Sequence, residues 1–333
     1  RHSEANGLAR ALGDRRMLAT SAGAMGQCEI ALCRYSPALL HLEEELRIAQ
    51  EIGDLYLQEM CRENLGELLM TLGAYDRAVE MYEAAQKLAE ASGSDAGVAA
   101  DHIDIAGCLI EQRDFDGAAK RLKKAAALLE KAQDVNISAM LHYRSGTLHL
   151  QRAADGDHER ALEEFNQLGD LADRHGFDSL SILARSYAGR CQLKLGRGGI
   201  AAELSADAVA MLEEKGPLYG GAHDILYNHA VILRAEGDSA GATAMIERAH
   251  EALMSSAESI QDAALYRSYL EQVRLNAEIV REFAVTHRSE SPHALTAVRE
   301  QNLRTLYAVA EKINSVLDLD QLLDNIMDSA LEA

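Results

Sequence analysis

Twelve histidines, five cysteines and 53 acidic residues are the side chains with which this 333-residue chain could do chemistry. A zinc site needs Cys and His at short spacings such as CxxC or HExxH, and neither occurs. His142 and His149 lie two turns apart along one helical stretch, too far to chelate one ion without outside ligands. Gly196, Gly198 and Gly199 in LGRGGIA look like a phosphate loop, but no strand precedes them and no GK[ST] follows. They read as a turn between helices. No nucleophile elbow appears either. The expectation is therefore no catalytic residue, no metal and no cofactor, and a chain that works by binding rather than as an enzyme.

The elements that must position any binding residues are helices. Ala, Leu and Glu dominate, with 3 Pro and no Trp, and no run of Val and Ile exceeds two residues. The fold class expected is all-α. A net charge of −20 disfavours nucleic acid and an anionic membrane surface as partners. No apolar stretch approaches the roughly 20 residues of a spanning helix, and no signal peptide opens the chain. The cysteines, Cys28, Cys33, Cys61, Cys108 and Cys191, are odd in number and scattered within helical patterns, where Cys is usually a small buried apolar residue. A cytoplasmic location fits that usage. The chain starts at Arg1 and stops in mid-pattern, so it reads as a fragment.

A repeat of about 40 residues organises the pattern. In residues 64–90 a first helix carries Leu65, Leu68, Leu69 and Leu72 beside Gly66. Gly73 and Tyr75 mark a turn, and a second helix carries Ala78, Tyr82 and Ala85. The small landmark recurs as Gly26, Gly66, Gly107, Gly146, Gly189 and Ala230. The second-helix alanines are Ala38, Ala78, Ala118, Ala161, Ala201 and Ala242, almost all 12 residues later. In the Gly146 unit AADGDHE lengthens the turn by three residues. Small residues let antiparallel helices approach, and stacked hairpins build a superhelical solenoid that no single hairpin could sustain.

These residues resemble the tetratricopeptide repeat family: the spaced Leu-Gly of the first helix, the turn glycine, the aromatic at Tyr75 or Phe115, and the Ala-large-Ala series of the second helix. The resemblance covers residues 1 to about 255 and implies a right-handed α-α superhelix. Three departures stand out. The large residue near the start of the first helix is Arg62, Ile103 or His142, closing prolines give way to loops such as ASGSD at 91–95, and the spacing is near 40. All three resemble the longer variant of bacterial regulatory proteins. Residues 1–14 match the end of a second helix, and 258–283 read as one long closing helix. The solenoid is expected over 1–285, with a partial first repeat and about six full hairpins.

The tail differs. Residues 286–293, THRSESPH, read as a linker. Leu303, Leu306, Ala310, Ile313 and Leu317 then step 3, 4, 3, 4, a coiled-coil seam that predicts a homodimer through 295–317. The stretch 302–333, containing INSVLDLDQLL, resembles the signalling helix and first helix that lead into GAF sensory domains. That implies a linker and signalling helix over 286–317 and a truncated GAF-like start over 318–333. Proteins of this order are bacterial multidomain regulators whose outputs include histidine kinases, diguanylate cyclases and AAA-type activators of the alternative sigma factor.

In the family the binding groove is lined by the first helix of each hairpin. Carrying that face over gives Met60, Glu63, Glu67 and Met70, then Asp101, Asp104, Cys108 and Glu111. Tyr143 and Thr147 follow, then Tyr187 and Arg190, then Tyr227, Asn228 and Arg234. The expected occupant is a peptide or protein segment, basic toward the acidic N-terminal repeats and apolar in the middle. The Lys and Asn pairs with which related co-chaperones clamp a C-terminal carboxylate are missing, with Glu63 and Asp104 where Lys would be needed. The function expected is a sensor and interaction module that passes binding through the C-terminal helix to a GAF or output module. The alternative is a stand-alone assembly scaffold with a dimerisation tail.

Overall fold

A computed structural model describes residues 13–216 and 222–288. The seam residues Leu303, Leu306, Ala310, Ile313 and Leu317, the GAF-like start and residues 1–12 lie outside them. Two compact units divide the chain, Arg1–Arg281 and Glu282–Ala333, and the hairpins all belong to the first. Its described residues form helices and no strand. None of those helices is long and apolar enough to cross a membrane.

Six helical hairpins run in chain order. They are α1 (Arg15–Ala31) with α2 (Tyr35–Glu51), α3 (Leu55–Thr71) with α4 (Tyr75–Ser92), and α5 (Asp95–Glu111) with α6 (Phe115–Ala132). Then come α7 (Val135–Arg152) with α8 (Asp157–His175), α9 (Asp178–Lys194) with α10 (Gly198–Lys215), and α11 (His223–Ala235) with α12 (Ser239–Ala257). Two more helices, α13 (Ala263–Glu271) and α14 (Arg274–Arg288), come after them.

Capping sets where first helices start. Asp14, Asp54, Ser94 and Asp134, forty residues apart, each accept the amide three residues on at 2.9, 3.1, 3.1 and 2.9 Å. A residue of positive φ stands at the helix junctions, at 13, 33, 53, 73, 93, 113, 133 and 153, then at 156, 176, 196 and 216. The period is twenty residues, one helix and its turn. Four of these positions are not glycine: Cys33, Arg113, Gln133 and Ala153. Left-handed backbone strains any residue with a Cβ, so the chain tolerates strain there to keep the period.

Within hairpins the small landmarks act by close approach. A Cβ on Gly26 would lie 2.8 Å from Leu42, one on Gly66 2.7 Å from Tyr82, and one on Gly146 2.8 Å from Phe165. The third hairpin corrects the expected register. Gly107 faces the guanidinium of Arg144, 2.9 Å from the position of a Cβ, so it serves the neighbouring hairpin instead. Ala106, fully buried and 12 residues before Ala118, occupies the landmark position. The three extra residues of the fourth hairpin are absorbed around the α7–α8 turn. There the fully buried Asp157 accepts from Arg152 at 2.7 and 2.8 Å and from the Ala154 amide at 2.9 Å. His149 Nδ1 sits 3.1 Å from the same carboxylate.

The closing segment also departs from expectation, because it is two helices rather than one. The Asn276 side chain donates to the Tyr269 carbonyl at 2.9 Å, taking an acceptor that a continuous helix would use. The loop before α13 turns its backbone toward the start of the solenoid. Ser259 Oγ accepts the Tyr35 amide at 2.9 Å, and the Gln261 amide donates to Ser36 Oγ at 2.8 Å. Tyr35 and Tyr269 pack ring to ring at 5.6 Å. Ile30, Tyr35, Leu72 and Tyr75 consequently share one hydrophobic core with Leu253, Ile260, Leu265 and Tyr269. The run of hairpins curls until its end meets its beginning. Of the cysteines, Cys61, Cys108 and Cys191 are buried as expected, while Cys28 is exposed and Cys33 sits in the α1–α2 turn.

Candidate functional site

The first helices α3, α5, α7, α9 and α11 carry the residues of interest. On α3, Glu59, Glu63 and Glu67 succeed one another at four-residue steps and so share one face. On α5 the facing positions are Gly97, Asp101 and Asp104, and Glu59 Oε1 lies 3.1 Å from where a Cβ on Gly97 would stand. Asp101 is completely buried, and both its carboxylate oxygens lack a hydrogen-bond partner. Burial, then Glu63, Asp104, Glu59 and Glu90, push its pKa up to about 9. Burial with Glu59 and Asp104 raises Glu63 to about 7. Burial raises Asp104 to about 7 as well, against the pull of Arg144.

Past this acidic strip the inner face changes character. The Arg144 guanidinium of α7 lies over the Tyr143 ring at 5.2 Å, and its Nη2 is 3.5 Å from Met70 Sδ on α3. Tyr143 meets Tyr187 of α9 edge-on at 5.9 Å, and Tyr187 stacks on Phe165 at 5.3 Å. Arg190 Nη1 donates to Asn228 Oδ1 at 2.9 Å, and Asn228 Nδ2 donates to Ser186 Oγ at 3.0 Å.

The structure thus brings Glu63, Asp101 and Asp104 together, joins Tyr143 to Tyr187, and ties Arg190 to Asn228. Other expected positions fall elsewhere. Tyr227 is 5% exposed and belongs to the hydrophobic core, as does the fully buried Cys108. Thr147 is buried and bonds the Arg144 carbonyl. Glu111 accepts from Gln151 at 2.8 Å, while Met60 and Arg234 are exposed and Glu67 is partly buried. The candidate histidines contact acids on the next helix, His142 with Glu164 and His149 with Asp157.

Sequence reasoning missed Glu59, although it sits one turn before Glu63 on the same face. It missed Arg144 and His223 as well. A glycine displaced by one from the landmark register was the available signal for Arg144. Buried polar atoms without partners occur on each of three successive first helices: Asp101 Oδ1 and Oδ2 on α5, Arg144 Nε on α7 and Arg190 Nε on α9. On α11 the His223 side chain hydrogen-bonds Asn276.

Residues 59–131 match the family model of the tetratricopeptide repeat. No curated protein sequence matches the chain. Solved structures share the fold at low identity. A Rap protein complexed with competence and sporulation factor is 14% identical with a TM-score of 0.59, over 81% of this chain and 76% of that one. Aspartyl phosphate phosphatase F from Bacillus subtilis is 13% identical with a TM-score of 0.56, over 83% and 73%. NprR in complex with its cognate peptide NprX is 14% identical with a TM-score of 0.54, over 92% and 88%. Residues 59–131 therefore carry tetratricopeptide repeats, within a superhelical run of hairpins.

Proposed function

We propose that this chain is a peptide-binding sensor module that receives a peptide, or an extended segment of a protein partner, along the inner face of its first helices. The observation that carries the reading is the row of buried, partnerless polar atoms on α5, α7 and α9. A buried polar atom without a partner costs roughly 1–3 kcal/mol, so three first helices in succession hold unsatisfied groups that an extended ligand could satisfy. The tyrosine pair beside Arg144 adds amphipathic surface of the kind that anchors peptides. Support also comes from the shared fold of NprR in complex with its peptide and of Rap with competence and sporulation factor.

The reading extends to the tail. The seam at 303–317 would pair two chains, and the helix would hand a change in the solenoid to a GAF-type module starting near 318. Binding would act by shifting the equilibrium between closed and opened solenoid, as differential affinity requires. Selection of random octapeptides on the purified chain tests the binding reading. Enriched peptides should bind, and Arg144→Met and Tyr187→Ala should each weaken them at least tenfold. Failure to enrich any peptide overturns the reading. Light scattering on 1–333 against 1–290 tests the seam, since equal monomer masses would refute it.

A further inference from the structure

We propose that Glu63, Asp101 and Asp104 seat a basic side chain of the bound peptide, the guanidinium of an arginine or the ammonium of a lysine. The inference rests on the peptide-binding reading above and names what the N-terminal end of that face selects.

Three observations carry it. First, the carboxylates converge from two helices, Glu63 with Glu59 from α3 and Asp101 with Asp104 from α5. Asp101 at their base is fully buried with both oxygens unpartnered. Second, no basic side chain bonds the Asp101 carboxylate. Arg62 Nη1 donates to the Gln58 carbonyl at 2.9 Å, and Arg144, over the Tyr143 ring, acts on Asp104 without bonding Asp101. Third, the acids form a strip rather than a cage. No group of three or more His, Cys, Asp or Glu among the described residues could hold a metal ion. Acids presented from two helices fit an organic cation, which forms several charge-assisted hydrogen bonds at once.

Without ligand the strip holds protons where it lacks a cation. Burial and the facing acids Glu63 and Glu59 of α3, Asp104 of α5 and Glu90 of α4 raise Asp101 to about 9. Arg144 is the cation that acts on Asp104, and it leaves that carboxyl raised to about 7. A guanidinium or ammonium entering the strip replaces a proton, so binding at pH 7 releases protons to the buffer.

The test uses the octapeptides enriched on the purified chain. They should share an Arg or Lys, and changing it to norleucine should weaken binding at least tenfold. Glu63→Gln and Asp101→Asn should each do the same, with losses that are not additive with the norleucine change. Binding enthalpy at pH 7 should differ between phosphate and Tris, reporting proton release, and the difference should shrink in Asp101→Asn. Neither variant removes a packed side chain, and a melting curve that matches the parent at pH 5, where these groups are protonated in both, confirms that they fold. Enriched peptides without a basic residue, or affinities unchanged in both variants, overturn this inference and leave the peptide-binding reading standing. Absence of any enriched peptide overturns both.

Discussion

The amide of Tyr35 donates to the hydroxyl of Ser259 at 2.9 Å, across 224 residues of sequence. The same hydroxyl reaches the Cys33 and Ser256 carbonyls, each at 2.9 Å. Tyr35 closes the contact from the other side through Tyr269. An open solenoid contacts only its neighbours, so each hairpin can fray on its own. Here the first described hairpin and the last share hydrogen bonds and a core, which couples their opening.

Ser259→Ala should therefore destabilise both ends together. Losing the acceptor of the Tyr35 amide costs about 1–2 kcal/mol, or roughly 2–4 °C of Tm per kcal/mol for a domain of this size. Hydrogen exchange should quicken at 33–36 and at 259–269 in parallel. Faster exchange confined to the loop that carries Ser259 would show that the clasp couples nothing.

Ala153 is exposed and left-handed, with φ of 52°, while Ala127 is exposed in the interior of α6. The same change to glycine should have opposite signs at the two sites. At Ala153 relief of left-handed strain, about 1–2 kcal/mol, exceeds the entropy lost, leaving about 0.5–1 kcal/mol of stabilisation. At Ala127 glycine should cost about 1 kcal/mol. Denaturant midpoints at unchanged m-values would read both.

The features legible in the sequence obey local rules. Helices, hairpin spacing and the inner-face acids Glu63, Asp101 and Asp104 all depend on periodicity and small-residue positions within one repeat. The twenty-residue alternation was equally present, but it is partly hidden because Cys33, Arg113, Gln133 and Ala153 occupy glycine positions. Gly107 misled the register because its neighbour Ala106 is also small. The Tyr35–Ser259 contact had no local signal at all, since superhelical curvature alone brings together residues so far apart. At the break between α13 and α14 the Asn276 side chain takes the Tyr269 carbonyl, a contact invisible in an apolar pattern.

Asp157 holds the lengthened α7–α8 turn with its carboxylate at 0% exposure. Hydrogen bonds from Arg152, Ala154 and His149 hold its pKa well below the usual carboxylate range, against the opposing effect of burial. With the folded pKa depressed, its stabilisation is present above the unfolded value near 3.9 and lost as pH falls through the folded value. Asp157→Ala should cost about 1–3 kcal/mol at pH 7, because Arg152 and the Ala154 amide lose their acceptor in the turn. The variant should also lose part of the acid-unfolding slope below pH 4. A variant as stable as the parent at pH 7 would show that the turn does not need this anchor.

The inner acids reverse that sign. Glu63 and Asp104 sit at about 7 and Asp101 at about 9, all raised first by burial. A raised folded pKa means that the folded chain binds more protons than the unfolded chain between about pH 4 and the folded value. Stability is thus fully present below about pH 4 for these groups and falls as pH rises, first through 7 and then through 9. Without ligand, Tm should decline steadily from pH 6 to pH 9.5 under conditions where surface carboxylates are already ionised. Asp101→Asn cannot ionise and should flatten the upper part of that decline, raising Tm at pH 9 while changing little at pH 5. Glu63→Gln should flatten the part nearer neutrality. A parent Tm that is level from pH 7 to 9.5 would mean that Asp101 is ionised throughout, with a counter-charge already beside it.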